Sequence, residues 1–248
     1  MKPHLNQFPL ITFIKKRLFG WVKYYIPQSF LLAIYPYLHY KKTKRIQTNF
    51  YPLYKKTNTI FIHIPKCGGT SIHQWLYPHL PPSTVGDMVS INHHQRILGK
   101  KNVSKYFCFT VVRNPWDRLF SAYKYLIKTN QLTSLCKATS FEAFIQWLSP
   151  KKRFYDPHLI PQHYYICNSK HTILVDFIAR FETFQTDMNQ IKQKLNLNHP
   201  IQHLNQTNRV QYIDAYNDDM IQKVGALYQA DIQLFNYSYP STNKTLTF

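Results

Sequence analysis

The first 86 residues contain no acidic side chain. All eleven Asp and Glu of this 248-residue chain lie at or beyond Asp87, whereas residues 1–86 hold twelve Lys and Arg. The net charge of +20 so distributed points to an anionic partner: nucleic acid, a membrane surface, a phosphorylated ligand or an acidic polymer. Cysteine is also scarce. Cys67, Cys108, Cys136 and Cys167 form no CxxC and no short paired spacing, which argues against zinc and against a disulfide scaffold. They read as reduced thiols of a cytoplasmic protein. Only 6 Gly exclude collagen-like and Gly-rich low-complexity chains, and 44% hydrophobic against 17% charged residues excludes a disordered polyelectrolyte.

A long apolar run is missing too. The most apolar window, Leu18 to Leu38, is broken by Lys23 and by Pro27-Gln28-Ser29, short of the ~20 nearly unbroken residues a spanning helix needs. It also lacks the small-residue ending of a signal peptide. What is present instead, over residues 1–56, is aromatic side chains mixed with Lys15-Lys16-Arg17, Lys41-Lys42 and Lys44-Arg45. Two readings stand: a segment lying at a lipid surface, with peripheral membrane contact, or a helical arm packed on the domain. A membrane anchor is a third, weaker one.

From residue 57 the texture changes, and a domain over 57–248 is expected. Ile60 to Ile64 is a β-branched run suited to a buried strand, and Ile72, Trp75 and Leu76 follow at helical spacing. A second strand is expected over Phe107 to Val112, then a helix from about Trp116 to Ile127. Asn114 can cap that helix, Pro115 fits its first turn, and Asp117 suits its positive end. Thr172 to Ile178 reads as a third strand before a helix ending near Leu195. Asp214 to Phe235 reads as one last helix. Alternation of strands and helices predicts an α/β, three-layer domain with a central parallel sheet flanked by helices.

The turn between the first strand and helix, Pro65-Lys66-Cys67-Gly68-Gly69-Thr70-Ser71, has the make-up of an anion cradle. Backbone N–H groups converge at a helix start, glycines allow close approach, Lys66 adds a charge, and Thr70 and Ser71 add hydroxyls. GxxxxGK is absent, so the Mg²⁺ logic of a nucleoside triphosphatase is unsupported. A second set follows the second strand: Arg113 at its end and Ser121 two turns into the helix. Two anion grips after two strands imply a ligand with phosphate at two places. Considered singly, the loop is an ordinary strand-to-helix turn, and Arg113 is an ion-pair partner of Asp117.

At these residues the chain resembles the carbohydrate sulfotransferases of the Golgi and bacterial type. IFIHIPKCGGTS resembles their 5′-phosphosulfate loop and FCFTVVRNPWDRLFSAY their 3′-phosphate motif. The likeness continues through DPHLIPQHYYI, ILVDFIARFET and ALYQADIQLFNY, covering residues 57–237 in order. The resemblance implies a P-loop-like fold that binds 3′-phosphoadenosine-5′-phosphosulfate (PAPS) and moves its sulfuryl group to a hydroxyl, without a metal. It implies that Lys66 meets the oxygen bridging phosphate and sulfate. Gly68, Gly69, Thr70 and Ser71 would hold the 5′-phosphate, and Arg113 and Ser121 the 3′-phosphate. Cys67 stands where many relatives have Thr, so only its backbone N–H is expected to serve. Arg209 is a further expected 3′-phosphate contact, with a polar surface loop as the alternative. The product would be 3′,5′-adenosine bisphosphate.

In-line sulfuryl transfer also needs a base for the acceptor hydroxyl. With no carboxylate in residues 1–86, histidine is the leading type. His94 is the first candidate and His93 the alternate, since the resemblance to hexuronic-acid sulfotransferases puts a catalytic His in this segment. His63 reads as a core residue and His73 as a minor rival. His158 and Gln162 are acceptor-side or structural, and Glu182 is structural. The expected acceptor is a glycan, acidic or capsular, and no nucleic acid partner is expected. Two other classes compete: a P-loop kinase, and a non-catalytic binder of anionic lipid or nucleic acid. The kinase predicts a preference for ATP and dependence on Mg²⁺, and the binder predicts salt-sensitive binding unaffected by Lys66→Ala or Arg113→Ala.

Overall fold

Two buried runs, Thr59–Ile62 (β1) and Phe107–Val112 (β2), lie side by side in the computed structural model, which describes residues 50–80, 88–199, 201 and 212–240. They pair in parallel from Thr59↔Phe107 to Ile62↔Thr110, and β2 pairs in parallel with Phe177–Arg180 (β3). The order β1-β2-β3 puts β2 in the middle. The chain is thus α/β, a parallel three-stranded sheet flanked by helices.

The helices in chain order are α1 (residues 50–57), α2 (Gly69–Leu76), α3 (Ile91–Leu98), α4 (Pro115–Lys128), α5 (Phe141–Trp147), α6 (Phe184–Lys194), α7 (Asp218–Leu227) and α8 (Gln229–Phe235). Single helical turns connect them. α4 starts as its sequence suggests: the Asn114 side chain accepts from Trp116 N–H and Pro115 occupies the first turn. Its buried face, with Leu119, Ala122 and Leu126, packs with Phe144 of α5 and Val224 of α7. Each such fully buried Leu or Phe contributes on the order of 1.5–3 kcal/mol.

α1 bears on the reading of the arm. Phe50 is buried against the rings of His73 and Tyr77, and Tyr54 is buried beside His94. This described end of the basic segment is therefore packed on the domain. Residues 1–49, on which the membrane expectation falls, lie outside the described residues, as does Arg209. No helix among the described residues is long and apolar enough to cross a membrane.

Two element boundaries differ from expectation. The third strand begins at Phe177, not Thr172. Ile173 instead bridges Cys167 in antiparallel fashion, and Leu174 N–H donates to Ile166 C=O. Asp176 then exchanges hydrogen bonds with Cys108 at the edge of β2. The apolar run was real, but its first half packs as a loop. The last helix is two: Asn217 caps α7 by accepting from Met220 N–H, and the backbone breaks at Tyr228. The buried Tyr228 hydroxyl at this break donates to Leu159 C=O.

Candidate active site

The parallel register carries the first two strands to a common edge. Extending Ile62↔Thr110 along the chain brings the loop after β1 alongside Arg113, and Arg113 Nη1 donates to Lys66 C=O at 3.0 Å. Ligands of parallel α/β sheets bind at this carboxyl edge.

The loop is shaped for convergence. Lys66 and Gly68 both have left-handed backbones, at φ 70 and φ 82, and Gly68 is the N-cap of α2. Left-handed residues next to a helix start turn successive N–H groups to one side, which makes an anion nest. For Lys66 the conformation is costly, and such strain is typical of functional turns. Gly69 is needed for another reason. A Cβ there would lie 2.0 Å from His63 Nε2, so the histidine ring packs directly on its backbone. Thr70 is half-buried and Ser71 buried in the first turn of α2.

Lys66 Nζ sits 4.3 Å from the centroid of the Tyr125 ring, a cation–π contact. Burial, with Arg113 nearby, pulls its proton affinity down to about 8. A doubly anionic ligand would restore the charge. Cys67 is buried, its Sγ within 3.5 Å of Gln162 Oε1, and burial pushes its thiol up to about 12. Its side chain is inert and inward, in line with the expectation that only its backbone faces a ligand.

Arg113 is 3% exposed and its guanidinium is gripped twice by Asp117, at 2.7 and 2.8 Å. It also lies 4.0 Å over the Phe181 ring. The ion pair expected as the alternative is therefore present, buried rather than at the surface. It does not exhaust the group. Among the described residues three of the five guanidinium N–H groups have partners, leaving one on each terminal nitrogen. Asp117, Ser121 and Tyr125 follow at i, i+4 and i+8 on α4. Half-buried Ser121 thus stands between the Arg113–Asp117 pair and the ring under Lys66.

Three further residues hold this edge together, of which the sequence singled out only Gln162, with its role open. Gln162, fully buried, donates to Arg113 C=O at 2.8 Å and accepts from Arg113 N–H at 2.9 Å. Asp231 accepts from the N–H groups of Gln162 and His163 and pairs with His163 Nδ1. Arg118, 2% exposed, donates to Pro65 C=O, His158 C=O and Ile160 C=O. Gln162 is thus structural, resolving the two roles left open for it. Glu182 is structural as well, accepting from Asn114 N–H and the Tyr237 hydroxyl. A second basic residue five positions after Arg113 was the available signal for Arg118. Nothing local signals Asp231.

The histidines separate sharply. His94 does not fit the base expected of it. Its Nδ1 meets Ser90 C=O at 3.0 Å and its Nε2 meets the Tyr54 hydroxyl at 3.3 Å. Both ring nitrogens face protein groups, and burial drops its proton affinity to about 4. His93 is buried in the first turn of α3, its N–H capped by Ser90. His63 and His73 pack together at 5.3 Å, and burial lowers both, His73 to about 4. They are core residues. His158 is different: Nδ1 is 2.7 Å from Asp156 Oδ1, and its ring is 4.5 Å from that of Tyr125.

A left-handed loop at a helix start, with a second cation at the neighbouring strand end, is a layout suited to an anion in an α/β domain. Residues 53–238 match the family model described as "Sulfotransferase family", and the chain belongs to that family. It is 22% identical over 238 residues to carbohydrate sulfotransferase 10 of Rattus norvegicus, covering 75% of this chain and 66% of that protein. The Mus musculus protein of the same name matches to the same extent. The chain thus spans just under two thirds of the length of these relatives. An uncharacterized protein of Archaeoglobus fulgidus is 29% identical over 102 residues, 40% of this chain and 76% of that protein. No solved structure matches the chain.

Proposed function

We propose that the chain transfers a sulfuryl group from PAPS to a hydroxyl of a glycan, a surface or capsular polysaccharide. The observation that carries this reading is the joining of Lys66 and Arg113 across adjacent strand ends, Nη1 to C=O at 3.0 Å. Two cations so placed suit a donor with phosphate at both ends of one nucleoside, and family membership and the names of the relatives agree with it.

In this reading the loop N–H groups, Thr70 and Ser71 hold the 5′-phosphate. Arg113 and Ser121 hold the 3′-phosphate, with Arg209 as an additional contact. The acceptor oxygen attacks sulfur in line, the bond from sulfur to the bridging oxygen breaks, and Lys66 neutralises the charge left on the departing phosphate. The acceptor proton passes to a histidine. Fixed cations suffice for this chemistry, because the transferred group bears a single charge. The basic surplus of the chain, +20 overall, suits an acidic acceptor or an anionic lipid surface near a cytoplasmic enzyme.

Titration calorimetry with 3′,5′-adenosine bisphosphate and with ATP, both in EDTA, tests the donor. Preference for the bisphosphate is expected, and equal or better ATP binding sinks the assignment. Labelled-sulfate transfer over a panel of polysaccharides, lipids and tyrosine peptides then tests the acceptor class.

A further inference from the structure

We propose that His158, oriented by Asp156, is the base that takes the acceptor proton. The inference deepens the sulfotransferase reading and rests on it.

Asp156 caps the turn Pro157–Leu159, accepting from His158 N–H at 2.8 Å, and the same Oδ1 meets His158 Nδ1 at 2.7 Å. A carboxylate on Nδ1 fixes that nitrogen as the protonated one and leaves the lone pair on Nε2. The His158 side chain is 9% exposed, enough for a contact at the ring edge. This is the base-and-orienter arrangement of acyl-transfer enzymes, in which the carboxylate also stabilises the imidazolium that forms.

Its place in the site follows from two side chains of α4. Tyr125 touches the His158 ring on one contact and lies under Lys66 Nζ on another, at 4.5 and 4.3 Å. Arg118 donates to Pro65 C=O, at the start of the loop, and to His158 C=O. One guanidinium therefore fixes the distance between the donor loop and the turn that bears His158. His63 packs on Gly69 of the same loop. The other His–Asp pair, His163–Asp231, packs on Tyr164 and His171, and its carboxylate is fully buried and holds Gln162.

The step balances without a further reactant. The hydroxyl proton moves to Nε2, the acceptor oxygen bonds to sulfur, and the electron pair of the broken S–O bond stays on the bisphosphate. Water in place of the glycan gives inorganic sulfate by the same proton transfer.

The test uses the full chain and four variants. Labelled PAPS is followed both in transfer to the polysaccharide panel and in slow hydrolysis, which needs no acceptor. His158→Ala and the size-conserving His158→Gln should lower both rates by about 10²–10⁴-fold, with 3′,5′-adenosine bisphosphate affinity within about twofold of the parent. Asp156→Asn retains the cap on His158 N–H but removes the charge. Tyr125 and Arg118 of α4 contact the His158 ring and C=O, and Lys66 lies on the same Tyr125 ring. Loss of the charge that orients Nδ1 should lower kcat by about tenfold or more while KM and 3′,5′-adenosine bisphosphate affinity stay within about twofold, a split that a purely structural carboxylate would not produce. Unchanged rates in both His158 variants, or an equal loss in His93→Ala alone, overturn the assignment. A parent chain that neither binds the bisphosphate nor consumes PAPS overturns the sulfotransferase reading instead.

Discussion

The two sides of β1 treat buried polar groups in opposite ways. At the carboxyl edge, Lys66, Arg113, Arg118, Gln162 and His158 are buried or half-buried, yet bonded to one another through backbone carbonyls and carboxylates. Around α1, α2 and α3, the histidines His63, His73 and His94 are buried among aromatic rings, with burial driving them neutral. One side retains charge and keeps donors and a lone pair in reserve. The other uses imidazole as an aromatic filler. Burial alone therefore says nothing about whether a histidine is catalytic; what sets His158 apart is the Asp156 carboxylate on its Nδ1.

The largest test of this contrast is Lys66→Ala. It should lower turnover by about 10²–10³-fold, with a smaller loss of bisphosphate affinity by calorimetry, because the ammonium acts most on charge that develops during transfer. Comparable turnover would remove Lys66 from the chemistry.

Gln162→Ala comes next. It strips the Arg113 backbone of two buried partners, at about 1–3 kcal/mol for each group left unsatisfied. A lowered melting temperature with weakened bisphosphate binding is expected, and unaltered binding would separate Gln162 from the site.

The pH response of donor binding is smaller. Lys66 in the free protein loses its proton near pH 8, so bisphosphate affinity should decline above that pH, by at most about tenfold per unit. Calorimetry between pH 7 and 9.5 checks this, and Lys66→Arg should flatten the curve because a guanidinium stays charged.

His94→Asn should be the mildest, leaving turnover within about twofold and altering stability instead. His94 titrates near 4 when folded against 6.5 ordinarily. Between those values the unfolded chain binds more protons, so the stability that neutral His94 contributes is present above about pH 6.5 and lost as pH falls toward 4. The variant should soften the fall of melting temperature in that window. A turnover loss matching His158→Ala would instead restore His94 as the base.

Much of the donor site was legible from local pattern. β1, β2 and the start of α4 follow from β-branched runs and from Asn114-Pro115, because strand burial and helix capping are decided by neighbours in the chain. The glycine pair was legible as a need for close approach, though not that Gly68 serves backbone conformation and Gly69 the His63 ring. The surroundings of the histidines were less legible. His93-His94 stood out as a pair in the right segment, but no spacing rule reports that Tyr54, 40 residues away, holds His94 Nε2. Gln162 and Asp231 were equally hidden, joined across 69 residues.

By itself, then, the sequence determined that parallel strands alternate with helices, that a Gly-containing turn and Arg113 follow the first two strands, and that the first 86 residues could supply no carboxylate base. Those are matters of side-chain type and short-range order. Only the tertiary structure decided which histidine lies beside the Pro65–Ser71 loop and which has its ring nitrogens taken up, because that depends on where distant hydroxyls, carbonyls and rings come to rest. It brought Asp156 and His158 onto the Tyr125 ring beneath Lys66 and turned His94 into the core.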